Sequence, residues 1–289
     1  MTRRFRRFAC IDWSGAKGDR QKGIAIAVSD GPGRAPKLIE RTWSRGAVLD
    51  WLLDHARRGS DLLVGIDFST AFPFLDAGAY FPGWAESPAD ARALWRLVDD
   101  ICAGDPHLEA GAFVDHGEAS RHFRRHGGRQ GDLFGAGNGR YRLVERLCRD
   151  GRHGPATSCF NLVGAAQVGK SSLTGMRLLH RLDGRVPVWP FDPLPETGPA
   201  IVEIYTTVAA RTAGLGGGSK MRDADRLRAG LAGYGIRRPP LLARYDDHST
   251  DAILTAAWLA EAAARDDLWQ PPALSSEIAA VEGWTFGIP

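Results

Sequence analysis

Apolar and polar positions follow a regular order over the first part of the chain. Short apolar segments typical of β-strands occupy residues 8–13, 23–28 and 37–43, and glycine-rich turn segments separate them. Residues 47–57 place valine and leucine at helical spacing, and residues 62–67 form an apolar run typical of a buried central strand. The pattern predicts the order β-β-β-α-β, with the first three strands forming an antiparallel meander.

The middle of the chain, over residues 75–185, is predicted to be largely helical, with irregular stretches. Ser87 and Pro88 are expected to begin a helix over residues 89–103, as the N-cap and the first-turn residue. A second helix is predicted over residues 171–182, and a basic, glycine-rich segment lies between the two. We interpret the region as an arginine-rich helical insertion within a single domain that covers residues 1–289.

The last third of the chain returns to strand and helix patterns. Residues 201–205 alternate as in a strand, with Glu203 on the face opposite its apolar neighbours. Helices are predicted over residues 223–232 and 247–264, and the tail over residues 282–289 is predicted to be non-helical. The predicted fold class is therefore α/β with a mixed sheet, a late strand and a C-terminal helix.

The composition is that of an ordinary folded protein, with 44% hydrophobic and 25% charged residues in a chain of 289. No run approaches the roughly 18 to 20 apolar residues that a membrane span needs. The basic N-terminus leads into too few apolar residues for a signal peptide. We therefore expect a cytoplasmic protein with no membrane partner. The four cysteines show no CxxC spacing, so they predict neither a zinc site nor a redox site.

Positive charge is concentrated in one segment. The net charge of the whole chain is only +3, but residues 118–153 contain nine arginines and four acidic residues. Arginine suits phosphate contacts because its guanidinium makes planar, bidentate hydrogen bonds. Arg121, Arg124 and Arg125 are therefore candidate substrate-binding residues, although the same excess is equally compatible with a solvated face.

Three acidic residues interrupt or end apolar strands. Asp12 follows the first strand, Asp67 ends the fourth, and Glu203 lies within the late strand. A carboxylate on a core strand is costly when it is buried without a partner. Three such residues on separate strands of one sheet therefore suggest a shared function.

Two further acidic residues belong to the C-terminal helix. Asp247 and Asp251 are four residues apart, so they lie on one helical face. Asp247 is equally well explained as an N-cap, whereas Asp251 lies a full turn inside the helix. Convergent carboxylates repel one another unless a divalent cation lies between them, and oxygen ligands suit Mg²⁺ or Mn²⁺. The candidate metal ligands are Asp12, Asp67, Asp247 and Asp251.

These residues lie in segments that resemble the domain-of-unknown-function 429 (DUF429) family of predicted nucleases. The matching segments are Ile-Asp-Trp-Ser-Gly-Ala at 11–16, Gly-Ile-Asp-Phe-Ser-Thr-Ala-Phe-Pro at 65–73, Val-Glu-Ile-Tyr at 202–205, Asp-His-Ser-Thr-Asp-Ala at 247–252 and Glu-Gly-Trp at 282–284. They occur in the family's order and extend over nearly the whole chain. The family pattern has a proline after the late strand, where this chain has Thr206.

The resemblance implies a ribonuclease H-like core and metal-dependent hydrolysis of phosphodiester bonds in nucleic acid. Mg²⁺ or Mn²⁺ would be the cofactor, and Glu203 would serve as a further ligand or as a base that orients water. The family's acidic positions fall on Asp12, Asp67, Glu203 and Asp251.

A second motif predicts a different chemistry. Residues 164–171 read Gly-Ala-Ala-Gln-Val-Gly-Lys-Ser and match the GxxxxGK[ST] phosphate-loop pattern in full. The protein would then bind a nucleotide through backbone amides and Lys170. In a nuclease, Lys170 would instead contact a substrate phosphate. A third hypothesis is a non-catalytic protein that uses the same fold to bind nucleic acid or a protein partner.

Overall fold

A mixed six-stranded sheet forms the centre of the protein. The computed structural model describes residues 5–151, 153–163, 168–216 and 221–289. The strands are β1 (Arg7–Asp12), β2 (Ala25–Ser29), β3 (Lys37–Leu38), β4 (Leu62–Ile66), β5 (Val188–Trp189) and β6 (Ala200–Glu203), in the spatial order β3-β2-β1-β4-β6-β5. The first three strands pair antiparallel, and the pairs β1–β4, β4–β6 and β5–β6 are parallel. The predicted α/β class, mixed sheet and meander are therefore confirmed.

Ten α-helices surround this sheet in the part of the chain that the structure describes. They are α1 (Arg45–Arg57), α2 (Ala91–Ile101), α3 (Gly111–Val114), α4 (Leu143–Asp150), α5 (Val168–Leu182), α6 (Thr206–Thr212), α7 (Ala224–Ala232), α8 (Asp247–Ala262), α9 (Asp266–Trp269) and α10 (Ser276–Val281). The predicted β-β-β-α-β opening is confirmed by β1 to β4 with α1 before β4. None of the described helices combines the length and apolar character that crossing a membrane requires.

Alternating side chains divide the core between the two faces of the sheet. Ile11 and Ile66 belong to one hydrophobic cluster, which also includes residues of α1, α2 and α5. Cys10 and Val202 belong to the other, together with α8. All strands except the edge strand β3 are buried on both faces, because helices cover both sides. This alternation also determines on which face of the sheet each acidic side chain lies.

Some boundaries differ from the sequence predictions. The third strand was predicted to reach Trp43 but ends at Leu38, where the chain leaves the sheet edge. Trp43 is buried instead and forms an isolated bridge with Gln21. The predicted N-cap of α2 was also wrong. The Asp90 side chain accepts a hydrogen bond from the Ala93 N–H at 2.8 Å and caps the helix.

The helix α8, predicted as the C-terminal helix, is followed by the short helices α9 and α10, and its N-cap is not Asp247. Asp246 is the N-cap of α8, and its side chain accepts a hydrogen bond from the Ser249 N–H at 3.0 Å. Asp247 is therefore in the first helical turn, and capping does not explain it. The tail over residues 282–289 is non-helical, as predicted, and the Phe286 N–H donates to the Glu203 carbonyl at 2.8 Å.

The middle of the chain contains α2 to α5 and long irregular stretches between them. Aromatic side chains pack together across these stretches. Phe72 stacks on Phe160 at a centroid distance of 4.9 Å, and Phe81 contacts Phe113 at 5.7 Å. These rings belong to the same core cluster as the sheet residues Ile11 and Ile66, so the region packs directly on the sheet.

Packing of α8 on the sheet provides a test of this core. Leu259 is fully buried, and its side chain lies against Gly65 of β4. We expect Leu259→Ala to lower the free energy of unfolding by about 2–5 kcal/mol, because it removes buried methyl groups and leaves a cavity. Leu241 is 91% exposed and provides the matched control, since Leu241→Ala should change stability by less than about 0.5 kcal/mol. Urea unfolding of both variants makes the comparison, and equal losses would contradict the assignment.

Candidate active site

Two acidic side chains lie where adjacent central strands end. β1 ends at Asp12, and Asp67 directly follows β4, the parallel neighbour of β1. The Asp67 N–H donates to the Ile11 carbonyl at 3.0 Å, so the pairing extends to the acids. Side chains alternate along a strand, and Asp12 therefore shares the face of Cys10, which α8 covers. The same alternation directs Asp67 to this face.

α8 adds a third acid to this edge of the sheet. Burial, followed by the charges of Asp12 and Asp251, raises the pKa of Asp67 well above its usual value. Burial and the charges of the same three aspartates also raise the pKa of the Cys10 thiol. All three carboxylates therefore lie close enough to interact electrostatically. We refer to Asp12, Asp67 and Asp251 as the acid cluster.

The partners of Asp12 and Asp67 leave much of the negative charge unbalanced. His248 Nδ1 lies 3.1 Å from Asp12 Oδ2, and this hydrogen bond raises the pKa of His248. Burial nevertheless keeps the pKa of Asp12 above its usual value. Asp12 is buried, whereas Asp67 and Asp251 are half-buried. Such a set of carboxylates suits a divalent cation, which favours the charged forms of all three. Among the described residues, no group of three or more His, Cys, Asp or Glu side chains is already arranged to hold a metal ion.

Thr206 directly follows the predicted late strand, where the resemblance noted in the sequence led us to expect a proline. It is the first residue of α6, where proline is common because its missing N–H needs no helical partner. The Thr206 hydroxyl lies 3.5 Å from Asp67 Oδ2, and its backbone N–H partly offsets the rise in the pKa of Asp67. Thr206 therefore supplies donors to the acid cluster, including an N–H that a proline would lack.

A cavity of about 540 Å³ opens beside the acid cluster, and we call it the main cavity. Its wall includes Asp67, His248 and Lys170. Lys170 is half-buried, and burial followed by the charge of Lys17 lowers its pKa. The main cavity therefore brings carboxylates and a cation to one space, and contact of Lys170 with a substrate phosphate stays a prediction.

Glu203 points away from the acid cluster. In the sheet register, Glu203 pairs with Ile66, and Ile66 pairs with Ile11. Paired residues on neighbouring strands point to the same face, so Glu203 lies on the Ile11 side of the sheet. Asp12 and Asp67 are each one residue further along their strands, and their side chains lie on the opposite side.

The Glu203 carboxylate is already surrounded by donors. Arg142 donates to both of its oxygens, at 2.5 and 2.9 Å. The Thr70 N–H and hydroxyl donate to Oε2, and the Thr285 hydroxyl donates to Oε1. Burial alone would raise the pKa of Glu203, but the Arg142 charge and these hydrogen bonds hold it below its usual value. Glu203 is therefore a charged structural anchor in the wall of the main cavity.

Sequence analysis missed the other members of this buried network. The Arg142 Nε donates to Glu145 Oε1 at 3.0 Å, and its Nη1 donates to the Glu282 carbonyl. Glu282 is fully buried, and its carboxylate accepts the N–H groups of Phe74 and Leu143, each at 2.7 Å. We call Arg142, Glu145, Glu203 and Glu282 the Arg142 network. The only sequence signals were the i,i+3 spacing of Arg142 and Glu145 and the Glu-Gly-Trp segment.

Asp247 lies at the margin of this site. Its two carboxylate oxygens accept hydrogen bonds from Arg222, each at 2.9 Å. Its charge still contributes to the raised pKa of Asp12. The structure thus brings together three of the candidate metal ligands and places Asp247 in an ion pair beside them.

The candidate arginines of the middle region have different surroundings. Arg121 is half-exposed and pairs with Asp132 and Glu118. Arg125 pairs with Asp115 at 3.1 Å. Arg124 is exposed. Part of the positive charge of this segment is therefore neutralised by neighbouring carboxylates. Arg125 also lines a second cavity.

The phosphate-loop motif is only partly within the described chain. Residues 164–167 lie outside the described residues, and Lys170 and Ser171 lie in the first turn of α5. A phosphate loop connects a sheet strand to a helix. Residues 159–163, which are described, contribute only an isolated bridge from Asn161 to Arg124 and no strand of the sheet. The strand that the motif requires directly before it is therefore missing.

Comparisons with family models, with curated proteins and with solved structures give no match to this chain. The function is therefore inferred from the geometry and electrostatics of the site.

The Arg142 network predicts a pH-dependent stability effect. At pH 7, Arg142→Met should destabilise the protein by about 3–5 kcal/mol, because it leaves buried carboxylates unpaired. The lowered pKa of Glu203 stabilises the wild type above pH about 4.3, whereas an unpaired Glu203 would destabilise the variant there. Urea unfolding should show a smaller difference between the two proteins at pH 4 than at pH 7.

The control for this prediction is Arg149→Met in α4, the helix that Arg142 directly precedes. Arg149 is exposed and donates to Tyr141 and to the Ala156 carbonyl, and among the described residues it donates to no carboxylate. Arg149→Met should lower the free energy of unfolding only slightly at both pH values. A loss for Arg142→Met that is the same at pH 4 and pH 7 would contradict the assigned charge of Glu203.

For the acid cluster we predict that stability changes with pH in the direction opposite to that of the Arg142 network. Because the pKa of Asp67 is raised, its ionisation destabilises the folded protein as pH rises above about 3.9, the ordinary value. With EDTA present at pH 7, Asp67→Asn should therefore have a higher Tm than the wild type, and the difference should shrink towards pH 4. Thermal unfolding measures this difference in Tm. Asp50 is exposed, so Asp50→Asn is the control. A lower Tm for Asp67→Asn at pH 7 would contradict the prediction.

Proposed function

We propose that this protein is a metal-dependent phosphodiesterase that acts on nucleic acid. One observation carries the proposal. Asp12 and Asp67 end two adjacent parallel strands on the same face, and Asp251 of α8 is close enough to raise the pKa of Asp67. Carboxylates with raised pKa values beside a cavity are typical of a functional site, because the arrangement costs stability.

The acid cluster is the proposed ligand set for Mg²⁺ or Mn²⁺. Such ions, when bound, activate water and stabilise charge that develops on a phosphate. In this chain, His248 and Thr206 would orient the carboxylates of Asp12 and Asp67 through their hydrogen bonds. Asp247 would remain paired with Arg222. Glu203 would position the loop after β4 and the tail rather than bind the ion or the reacting water.

Lys170 would contact the substrate. Its side chain lines the main cavity that the acid cluster borders, so it can neutralise a phosphate oxygen there. A nucleic-acid substrate is favoured over a small phosphoester because cationic residues extend beyond this cavity along the adjacent surface. The β-β-β-α-β opening also agrees with the proposed ribonuclease H-like core.

Substitution of one acid tests the proposal. Asp12→Asn should reduce cleavage of labelled DNA and RNA oligonucleotides in Mn²⁺ by at least about a hundredfold, because a metal site supplies several kcal/mol to the transition state. Lys170→Ala should cost at most about tenfold, since Lys170 touches only the substrate. The exposed Asp50→Asn variant is the matched control and should retain full activity.

The same variants distinguish the alternative functions. ATP binding by the wild type that is lost in Lys170→Ala and kept in Asp12→Asn would favour a nucleotide-binding loop. Binding of nucleic acid by the wild type without cleavage in Mg²⁺ or Mn²⁺ would favour a non-catalytic protein. Either result would overturn the proposed activity.

A further inference from the structure

A second cavity, of about 340 Å³, lies beside the main cavity. Gly15, Ala16 and Lys170 line both cavities, so the two share a wall. We call the second one the basic cavity because four cationic side chains border it. They are Lys17, Arg125, Arg129 and Lys170.

Two carboxylates also border the basic cavity, but both already accept hydrogen bonds from the protein. Glu109 Oε1 accepts the Gly18 N–H at 2.6 Å. Asp115 Oδ1 accepts a hydrogen bond from Arg125 at 3.1 Å. Four cations therefore face two engaged carboxylates, and the lining has a net positive charge.

Three of these cations form no ion pair with a carboxylate among the described residues. The ion pairs found there include Arg125 but not Lys17, Arg129 or Lys170. Burial and the charge of Lys17 also disfavour the charged form of Lys170. Cations that repel one another beside a cavity favour an anionic ligand there, just as the carboxylates of the acid cluster favour a cation.

The backbone brings the basic cavity close to the acid cluster. A Cβ on Gly15 would lie 2.5 Å from the Lys170 carbonyl carbon, so the loop after β1 packs directly on the first turn of α5. Asp12 is three residues before Gly15, and three extended residues span at most about 11 Å. An anion in the basic cavity would therefore lie within a short distance of the proposed metal ligands.

We propose that the basic cavity binds a backbone phosphate of the nucleic-acid substrate, next to the phosphate that is cleaved at the acid cluster. This assignment rests on the proposed function for the identity of the substrate. Lysine and arginine side chains that contact backbone phosphates position a nucleic acid independently of its sequence. The basic cavity would thus set the register of the strand relative to the acid cluster.

Binding without catalysis tests the assignment. The double variant Lys17→Ala/Arg129→Ala removes two exposed cations of the basic cavity, and Lys37→Ala/Arg96→Ala removes two exposed cations elsewhere. Fluorescence anisotropy with a single-stranded DNA octamer is measured in EDTA at several salt concentrations. The first variant should bind at least about fivefold more weakly at low salt. Its plot of log affinity against log salt should be shallower by about 0.7 for each phosphate that the variant no longer neutralises.

The control variant should match the wild type in both affinity and salt dependence. Equal losses in the two double variants, or an unchanged salt dependence in the first, would overturn the proposal. A circular dichroism melt of each variant establishes that both are folded.

A second arm identifies the source of the phosphate. Inorganic pyrophosphate and an octamer with uncharged methylphosphonate linkages are compared with the ordinary octamer. The ordinary octamer should bind more tightly than both, and only its binding should weaken in Lys17→Ala/Arg129→Ala. If pyrophosphate binds as tightly as the octamer and depends on the same two residues, the basic cavity takes a free phosphoanion, and the assignment to nucleic acid is wrong.

The test of the basic cavity can succeed or fail independently of the test of the proposed phosphodiesterase activity. Octamer binding in EDTA requires no metal, so a failure of Asp12→Asn to affect cleavage leaves this measurement unaffected. If cleavage depends on Asp12, Lys17→Ala/Arg129→Ala should raise KM by at least about fivefold with kcat within about twofold. An equal fall in kcat with unchanged KM would contradict a role in substrate binding.

Discussion

The buried pair of Arg142 and Glu203 imposes a constraint that distant parts of the chain satisfy together. The two side chains are 1% and 3% exposed, and a buried ion pair is tolerated only when protein groups fill its remaining hydrogen-bonding positions. Thr70 supplies them from the loop after β4, and Thr285 supplies them from the C-terminal tail. The tail, α4 and the loop after β4 are therefore held in one arrangement, which also fixes the backbone beside the acid cluster.

The acidic side chains on the two faces of the sheet have opposite electrostatic surroundings. On one face, Glu203 has an arginine and three further donors, and its pKa is lowered. On the other face, Asp67 has neighbouring carboxylates and a threonine, and its pKa is raised. A single residue of offset along neighbouring strands separates these environments. Charge that is satisfied by the protein supports the structure, and charge that is left unsatisfied suggests an external partner.

Periodicity was sufficient to predict the α/β class, the meander and most helices, because burial on both sheet faces leaves a strong pattern in the chain. The cap of α2 was predicted wrongly because Ser87 and Asp90 are both good caps, and the Ser87 hydroxyl instead accepts the Phe81 N–H. The alternation along its strand indicated that Glu203 lies on the face opposite its apolar neighbours. That Asp67 lies on the other face could be known only from the register between the strands. Arg142 had no comparable signal, since its partner Glu203 lies 61 residues away in the sequence.

The contact of Gly15 with the first turn of α5 has a consequence for motion at the site. Side chains on protein surfaces change rotamers within picoseconds to nanoseconds, whereas packed backbone segments move together. Since no side chain separates Gly15 from the backbone of Lys170, the loop after β1 packs backbone to backbone against the start of α5. The spacing between the backbone of Asp12 and that of Lys170 is thus set by main-chain packing. A substrate of the proposed phosphodiesterase would adapt to this spacing rather than change it.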